Sequence, residues 1–331
     1  MISRISSLRD PALTATVLNR VPLRYANGRE ASLDRPEHVR AGSSLTWFEN
    51  RLAVIQDDAN FIALIDPEQG GVDALPLPAG EGGLRQFDDL RGNKRFKLDL
   101  EACLTIPALD GDLLLAFGSG SKTQRESIVT VSASGAAIHL TRATELYRRF
   151  RMDKAFSGSE LNLEGVVFAD GWVRFFNRGN GEARDGLLPL DATCDIAWPE
   201  LEAYLRAPER HGVPELHRVM QYELGTLDGV RLTFTDATAT HCGMFYVASA
   251  ENSPDAVTDG SVSGSAVGII EKSGRCRWAE LRDADGAPFG AKVEGICTAR
   301  NVDGKIYLVI DADDPARPSE LLEVALSGPW C

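Results

Sequence analysis

The chain has 331 residues, of which 44% are apolar and 25% are charged, so it can bury a large core as a globular protein. Its net charge of −13 argues against a general nucleic-acid binder, because neutralisation of phosphates supplies most of that affinity. No run approaches the ~20 apolar residues of a membrane span, and residues 1–20 lack the apolar stretch of a secretion signal. We therefore expect a cytoplasmic protein that binds neither nucleic acid nor membrane.

The six cysteines are scattered without CxxC spacing. Cys103 and Cys297 lie inside apolar runs, where a free thiol serves as a small hydrophobic side chain. This usage favours a reduced protein over a disulfide framework, with disulfide pairs left open as the alternative. The five histidines show no ligand spacing, so no zinc centre is expected.

Five short motifs recur along the chain, each pairing a carboxylate or hydroxyl with a very small residue before an apolar or β-branched run. They begin 58, 63, 72 and 58 residues apart. Such a repeat predicts one closed domain of similar units over residues 1–331. The motifs are Ser43-Ser44-Leu45, Glu101-Ala102-Cys103, Glu164-Gly165-Val166, Asp236-Ala237-Thr238 and Glu294-Gly295-Ile296.

Between the motifs, apolar runs of four to eight residues split by Asn, Gly and Asp predict consecutive antiparallel strands. The first two units have strands at 45–48, 52–56, 61–65 and 72–77, then at 102–106, 113–117, 128–132 and 136–140. The third has strands at 165–168, 172–176, 187–190 and 219–224, with a helix inserted at 196–205. The fourth has strands at 237–240, 244–248, 266–271 and 276–281, with a long loop at 251–265.

The fifth unit has strands at 295–299, 306–310 and 321–326 and is one strand short. The N-terminal run at 15–23 supplies the missing strand, which predicts an all-β, five-bladed β-propeller of four-stranded antiparallel blades closed by its own N-terminus. Closure removes the open sheet edges. Two alternatives remain: a β-sandwich with coincidental repeats, and six blades if residues 1–40 form a degenerate unit.

If each motif starts an innermost strand, the leading side chains converge at one end of the central channel. Carboxylates crowded in a narrow space need raised pKa values or a cation. An all-oxygen donor set favours Ca²⁺ over Mg²⁺. The alternative is that these acids cap strand ends and face solvent. The predicted metal ligands are Ser43, Glu101, Glu164, Asp236 and Glu294.

Basic residues cluster in the loops expected on the same face as the motifs. A basic rim around a cation-filled channel would attract an anionic small molecule bearing phosphate or carboxylate. The alternative is an ordinary solvated surface. The predicted ligand-binding residues are Lys94, Arg95, Lys97, Lys122, Arg149, Arg151 and Arg178.

The order Ser-x-Leu-x-x-Phe, Leu-Glu-Ala, Leu-Glu-Gly and Val-Glu-Gly-Ile resembles the calcium-activated nucleotidase (apyrase) propellers. A weaker likeness extends to phytase-like and lactonase-like propellers. The resemblance spans most of residues 43–326 and implies five blades around one Ca²⁺ held by Ser and Glu side chains. Ser43, Glu101, Glu164 and Glu294 fall on that pattern, whereas Asp236 stands where the family usually has Ser.

These features together predict a calcium-dependent hydrolase acting on a phosphate-containing anionic small molecule. The loops after each second strand differ from those of the nucleotidases, so no nucleotide contacts carry over. The general base is left open among Asp57, Asp58, Glu251 and Asp311. The alternative is a non-catalytic propeller whose axial ion is structural and whose rim binds a ligand or a protein partner.

Overall fold

A computed structural model describes residues 3–67, 69–108, 110–135, 137–253, 260–300 and 302–331. The start of the strand predicted at residue 136 and part of the loop predicted at 251–265 lie outside the described residues. No helix in the described part of the chain is long and apolar enough to cross a membrane.

The strands follow the predicted order. The N-terminal region contributes β1 (Ser3–Ser6), β2 (Leu8–Arg9) and β3 (Thr14–Pro22). The first unit is β4 (Gly42–Phe48), β5 (Arg51–Gln56), β6 (Phe61–Ile65) and β7 (Val72–Pro76), and the second is β8 (Leu100–Ala108), β9 (Gly111–Gly118), β10 (Ser127–Ser132) and β11 (Ile138–Arg142). The third is β12 (Leu163–Ala169), β13 (Trp172–Asn177), β14 (Asp191–Ala197) and β15 (His217–Glu223).

The two-residue strand β16 (Thr226–Leu227) precedes the fourth unit, which is β17 (Val230–Thr240), β18 (Gly243–Asn252), β19 (Ser261–Glu271) and β20 (Cys276–Arg282). The fifth is β21 (Val293–Thr298), β22 (Lys305–Ile310) and β23 (Glu320–Ser327). Helices α1 (Thr144–Met152), α2 (Lys154–Ser157) and α3 (Trp198–Arg206) lie between strands. Short 3₁₀ turns lie at Ala31–Leu33, Glu81–Gly83, Lys94–Phe96, Thr123–Arg125 and Ala133–Gly135.

The first strands of the units form a closed ring. Strands β4, β8, β12, β17 and β21 contact one another in that order, and β21 returns to β4. This arrangement confirms the β-propeller and excludes the sandwich alternative. Apolar clusters fill the spaces between neighbouring units; for example, Phe117 of β9 meets Phe175 of β13 with ring centroids 5.1 Å apart. The second strands are therefore almost continuously apolar, because both of their faces are covered.

The N-terminal strands are distributed over the outer edges of existing units. Strand β3 pairs antiparallel with β23 and completes the fifth unit, as predicted. Strand β1 pairs in parallel with β15, and β2 pairs in parallel with β20. The described residues before β4 thus form no sheet of their own.

The region after β13 departs from the prediction. The third strand of that unit is β14 at Asp191–Ala197, so the strand predicted at 187–190 is wrong by about one strand length. The predicted helix is present as α3 and begins only at Trp198, where Pro199 suits the first turn. Helix α1 replaces a predicted loop and buries Leu146 and Phe150, whose four-residue spacing was an available helical signal.

A disulfide joins Cys242 to Cys331, with their Cα atoms 5.5 Å apart. The expectation of reduced cysteines is therefore wrong for this pair, which lies 89 residues apart in sequence. Cys103, Cys194, Cys276 and Cys297 are free and buried, as expected of small apolar side chains.

Candidate functional site

Each first strand carries a β-bulge, at the same end of the channel. The bulge inserts one extra residue opposite the second strand and re-aims its side chain. The register shifts lie between Gly42 and Ser44, Leu100 and Ala102, Leu163 and Gly165, Phe234 and Asp236, and Val293 and Gly295. The bulged residues are Ser43, Glu101, Glu164, Thr235 and Glu294.

The bulge register corrects one predicted ligand. Thr235, rather than Asp236, stands level with the three glutamates. Asp236 lies one residue further along β17, where its Oδ2 accepts hydrogen bonds from Ser44 Oγ at 3.0 Å and from Ile296 N at 2.9 Å. The structure therefore does not bring Asp236 together with the other four predicted ligands. The fourth motif begins at its carboxylate, Asp236, but the residue that occupies the bulge in this strand is Thr235.

The two bulged hydroxyls make the same contact in different blades. Ser43 Oγ donates to Leu100 O at 2.6 Å, and Thr235 Oγ1 donates to Val293 O at 2.6 Å. Each accepting carbonyl immediately precedes the bulged glutamate of the next blade. The hydroxyls thus hold the backbone from which Glu101 and Glu294 project.

A cavity of about 350 Å³ opens at this end of the channel and is lined by Ser43, Glu101, Glu164 and Glu294. Among the described residues that line it, twelve are Asp or Glu and six are Lys or Arg. Such an excess of carboxylates in a recessed site creates a negative potential that attracts cations.

The buried cations of the cavity already have carboxylate partners. Lys97 Nζ contacts Asp99 Oδ1 at 2.6 Å and also pairs with Asp57. Arg178 pairs with Glu251 at 2.6 Å and with Glu164 at 3.5 Å. These cations hold the carboxylates in place.

Glu101 and Glu294 retain oxygen atoms that have no partner among the described residues. Glu294 is 6% exposed, and its Oε1 lies 2.6 Å from Lys292 Nζ, while Oε2 has no hydrogen-bond partner among the described residues. The Glu101 carboxylate has no hydrogen bond or ion pair within the described part of the chain. Burial raises the pKa of Glu294 to about 8 despite Lys292, and burial together with Asp99 raises that of Glu101 well above its usual range.

Three of the candidate bases, Asp58, Asp311 and Glu251, lie in different electrostatic environments. Burial and the neighbouring Asp57 raise the pKa of Asp58 to about 7. Burial and Asp313 raise the pKa of Asp311 well above its ordinary value. Burial alone would raise the pKa of Glu251, but Lys292 and Arg178 lower this pKa to about 2. Glu251 is therefore held as an ion-paired carboxylate.

The predicted basic rim is not assembled as a unit. Lys94, Lys97 and Arg178 line the cavity. The other four predicted cations do not line it, and two of them, Arg149 and Arg151, belong to helix α1. Arg95 stacks over Phe96, Arg151 binds Glu126 and Gly120 O, Arg149 lines a separate hollow beside α1, and Lys122 is exposed outside the cavity.

Sequence reasoning missed the residues two positions before the bulged glutamates. Asp99 and Lys292 both line the cavity, as does Asn162, which donates to Glu164 Oε1 at 2.6 Å. Their two-residue spacing from the glutamates was an available signal, because alternate strand residues share a face. One oxygen each of Asp57, Asp99 and Glu101 lies within 4.8 Å of the others, but the Lys97 ammonium already contacts two of these three carboxylates.

Residues 38–326 match the profile of DUF6929, described as a family of unknown function. The chain belongs to this family. A comparison with curated proteins found no match.

Solved structures of similar fold are distant in sequence. A GH43 β-1,3-galactosidase has a TM-score of 0.50 at 8% identity, over 92% of this chain and 58% of that one. Glutaminyl cyclase from Myxococcus xanthus has a TM-score of 0.44 at 12% identity, over 99% and 100% of the two chains. The WD40 domain of Pan2 from Neurospora crassa has a TM-score of 0.39 at 9% identity, over 98% of each. Likeness at these identities extends to the fold alone.

Proposed function

We propose that this DUF6929 protein is a calcium-dependent hydrolase of a phosphate-containing anionic small molecule, with the channel-end cavity as its active site. The observation that carries the proposal is a pair of glutamates in the cavity wall, the half-buried Glu101 and the buried Glu294. Within the described part of the chain, the Glu101 carboxylate has no hydrogen bond or ion pair, and Glu294 Oε2 has no hydrogen-bond partner. Buried carboxylates are costly unless a cation or a proton compensates them. The apyrase-like order of the strand-start motifs agrees with this assignment.

The donor set fits a hard divalent cation. Ser43, Glu101, Glu164 and Glu294 would hold it, and all four offer oxygen, which Ca²⁺ prefers over nitrogen or sulfur. Ser43 gives its hydroxyl hydrogen to Leu100 O, which leaves oxygen lone pairs available. No His or Cys is among the described residues of the lining, which disfavours zinc. When bound, the ion would supply charge that polarises a phosphoryl oxygen of the substrate.

The protein's own residues would position the substrate and move the proton. Arg178 and Lys292 fix Glu164, Glu251 and Glu294 in the cavity wall. Lys94 lines the same cavity with a side chain that is 40% exposed, so its ammonium can meet an incoming phosphate.

We assign Asp58 as the general base. Arg40 Nη2 holds Asp58 Oδ2 at 2.5 Å, while Oδ1 has no hydrogen-bond partner in the described structure. A carboxylate with one oxygen held by an ion pair and the other without a hydrogen-bond partner is oriented and still able to accept a proton from water.

A phosphate-release assay tests the proposal. The purified protein is incubated with nucleoside triphosphates, sugar phosphates or phytate, with Ca²⁺ or with EGTA. We expect release with Ca²⁺ only, and a rate at least about 100-fold lower in Asp58→Asn, in line with typical general-base effects. The matched control is Asp228→Asn, an exposed turn residue whose removal leaves the rate unchanged.

The second candidate function is a non-catalytic propeller with a structural ion. It is favoured by one observation, that the predicted basic rim is not assembled around the cavity. If no substrate turns over but EGTA lowers the melting temperature, the ion is structural and the hydrolase proposal fails. If EGTA changes neither the turnover nor the melting temperature, the proposal that the cavity holds a calcium ion fails.

A further inference from the structure

A cluster of soft metal ligands lies outside the acidic cavity. One ring nitrogen of His241 and the sulfurs of Cys242 and Cys331 lie within 4.8 Å of one another. His241 and Cys331 are exposed and Cys242 is half-buried, so solvent reaches the cluster. In the structure the two sulfurs are joined as a disulfide.

The backbone holds these three residues together without relying on the disulfide alone. His241 and Cys242 form the two-residue turn between β17 and β18, where Thr240 pairs with Gly243. The neighbour of Cys331, Trp330, is 5% exposed and packs against Phe245 with ring centroids 5.8 Å apart. Its indole nitrogen donates to Ser327 O at 3.0 Å and to Thr14 O at 3.2 Å. Reduction would therefore leave the two thiols side by side.

We propose that His241, Cys242 and Cys331 form a zinc site when the disulfide is reduced. A phosphine reductant supplies two electrons to the S–S bond and is itself oxidised to the phosphine oxide with oxygen from water, which leaves two thiols. Zinc binding then releases both thiol protons to solvent, and the thiolates and the neutral imidazole coordinate the ion. Two sulfurs and one nitrogen at the surface suit tetrahedral Zn²⁺, with water in the fourth position.

This site is chemically distinct from the acidic cavity and independent of the proposed hydrolysis. The cavity offers oxygen donors to a hard cation, whereas this cluster offers sulfur and nitrogen. The expectation of no zinc centre rested on histidine spacing, which cannot reveal a partner 89 residues away. Disulfide and zinc would alternately connect the β17–β18 turn to the segment after β23.

Cobalt titration tests the proposal, because only thiolate ligands give the intense sulfur-to-Co²⁺ charge-transfer absorption. The full chain is reduced with a phosphine, freed of reductant without air, and titrated with Co²⁺ in excess Ca²⁺. We expect one equivalent to saturate the band, Zn²⁺ to abolish it, and the oxidised protein to show none. A missing band in the reduced protein overturns the proposal.

Variants assign the band to these residues. Cys331→Ser should remove it, and His241→Asn should weaken Co²⁺ binding by at least about tenfold, since even outer-shell partners of metal ligands are worth that much. His139→Asn, at another exposed histidine, is the matched control and should change nothing. A band that persists in Cys331→Ser contradicts the site. Should that variant misfold, alkylating the accessible thiols of the reduced wild type gives the same test, because the remaining cysteines are buried.

Discussion

Ser44 Oγ donates a hydrogen bond to Asp236 Oδ2 at 3.0 Å, although 192 residues separate them in sequence. The same carboxylate oxygen accepts from Ile296 N at 2.9 Å. These residues lie on β4, β17 and β21, so one buried carboxylate connects the first strands of three blades. Asp236 therefore closes the ring rather than lining the cavity.

Asp236→Ala should lower the free energy of unfolding by about 1–3 kcal/mol, because it leaves buried donors unsatisfied. Burial raises the pKa of Asp236 well above its usual range, so Asp236→Asn, which resembles the protonated acid, should cost less. Urea denaturation measures both effects. Calcium affinity by titration calorimetry should stay unchanged in each variant. A folded Asp236→Ala protein that no longer binds Ca²⁺ would restore Asp236 as a ligand.

The calcium-free protein should lose stability as pH rises from about 5 to about 8. Burial raises the folded-state pKa of Asp58 to about 7 and that of Glu294 to about 8, while both titrate near 4 when unfolded. The folded state thus binds more protons than the unfolded state in this window, which gives stability a negative slope with pH. Glu251, with its pKa lowered to about 2, contributes the opposite slope only below about pH 4.5.

Melting temperatures measured in EGTA and in Ca²⁺ between pH 5 and 8.5 check this prediction. Calcium should flatten the part of the slope that comes from Glu294, because the bound ion replaces the proton on this ligand. A melting temperature that rises with pH in EGTA would show that these carboxylates are compensated without metal.

Arg178→Met should lower the free energy of unfolding by about 3–5 kcal/mol, because Glu164 and Glu251 would remain as buried charges without their shared cation. Arg178 is 3% exposed and also donates to Thr233 Oγ1 at 3.0 Å. Chemical denaturation with and without Ca²⁺ provides the measurement. Arg206→Met, at an exposed pair with Glu202, is the control and should cost less than about 1 kcal/mol. Equal losses in the two variants would contradict the buried triad.

Gly268→Ala should destabilise the protein by about 1–3 kcal/mol through overpacking. A Cβ at this position would lie 2.0 Å from Tyr246 Cζ. The ring cannot easily move, because the Tyr246 hydroxyl is 2.9 Å from Ser7 Oγ. Gly290→Ala, where the added carbon meets nothing within 4 Å, should be nearly neutral in the same thermal melt. If Gly268→Ala melts like the wild type, the close packing of Gly268 on β19 against the Tyr246 ring is contradicted.

Local sequence was sufficient for the propeller itself. Short apolar runs separated by Asn, Gly and Asp turns depend on neighbours a few residues away, so β4 to β7 and the closing strand β3 could be read directly. The same local pattern placed Ser43, Glu101, Glu164 and Glu294 at one end of the channel. The sequence did not reveal strand β14 at Asp191–Ala197, because helix α3 begins at Trp198 with no turn residues between the two elements.

Only the tertiary structure decided what the site contains. The β17 bulge, which depends on pairing with β18, put Thr235 level with the glutamates and turned Asp236 toward Ser44. The ion pairs of Arg178 and Lys97 and the Cys242–Cys331 disulfide join segments that sequence distance conceals. Charge balance in a buried cavity depends on which distant side chains meet there. The acids could be predicted from the sequence, but which of their oxygens remain free is determined by the fold.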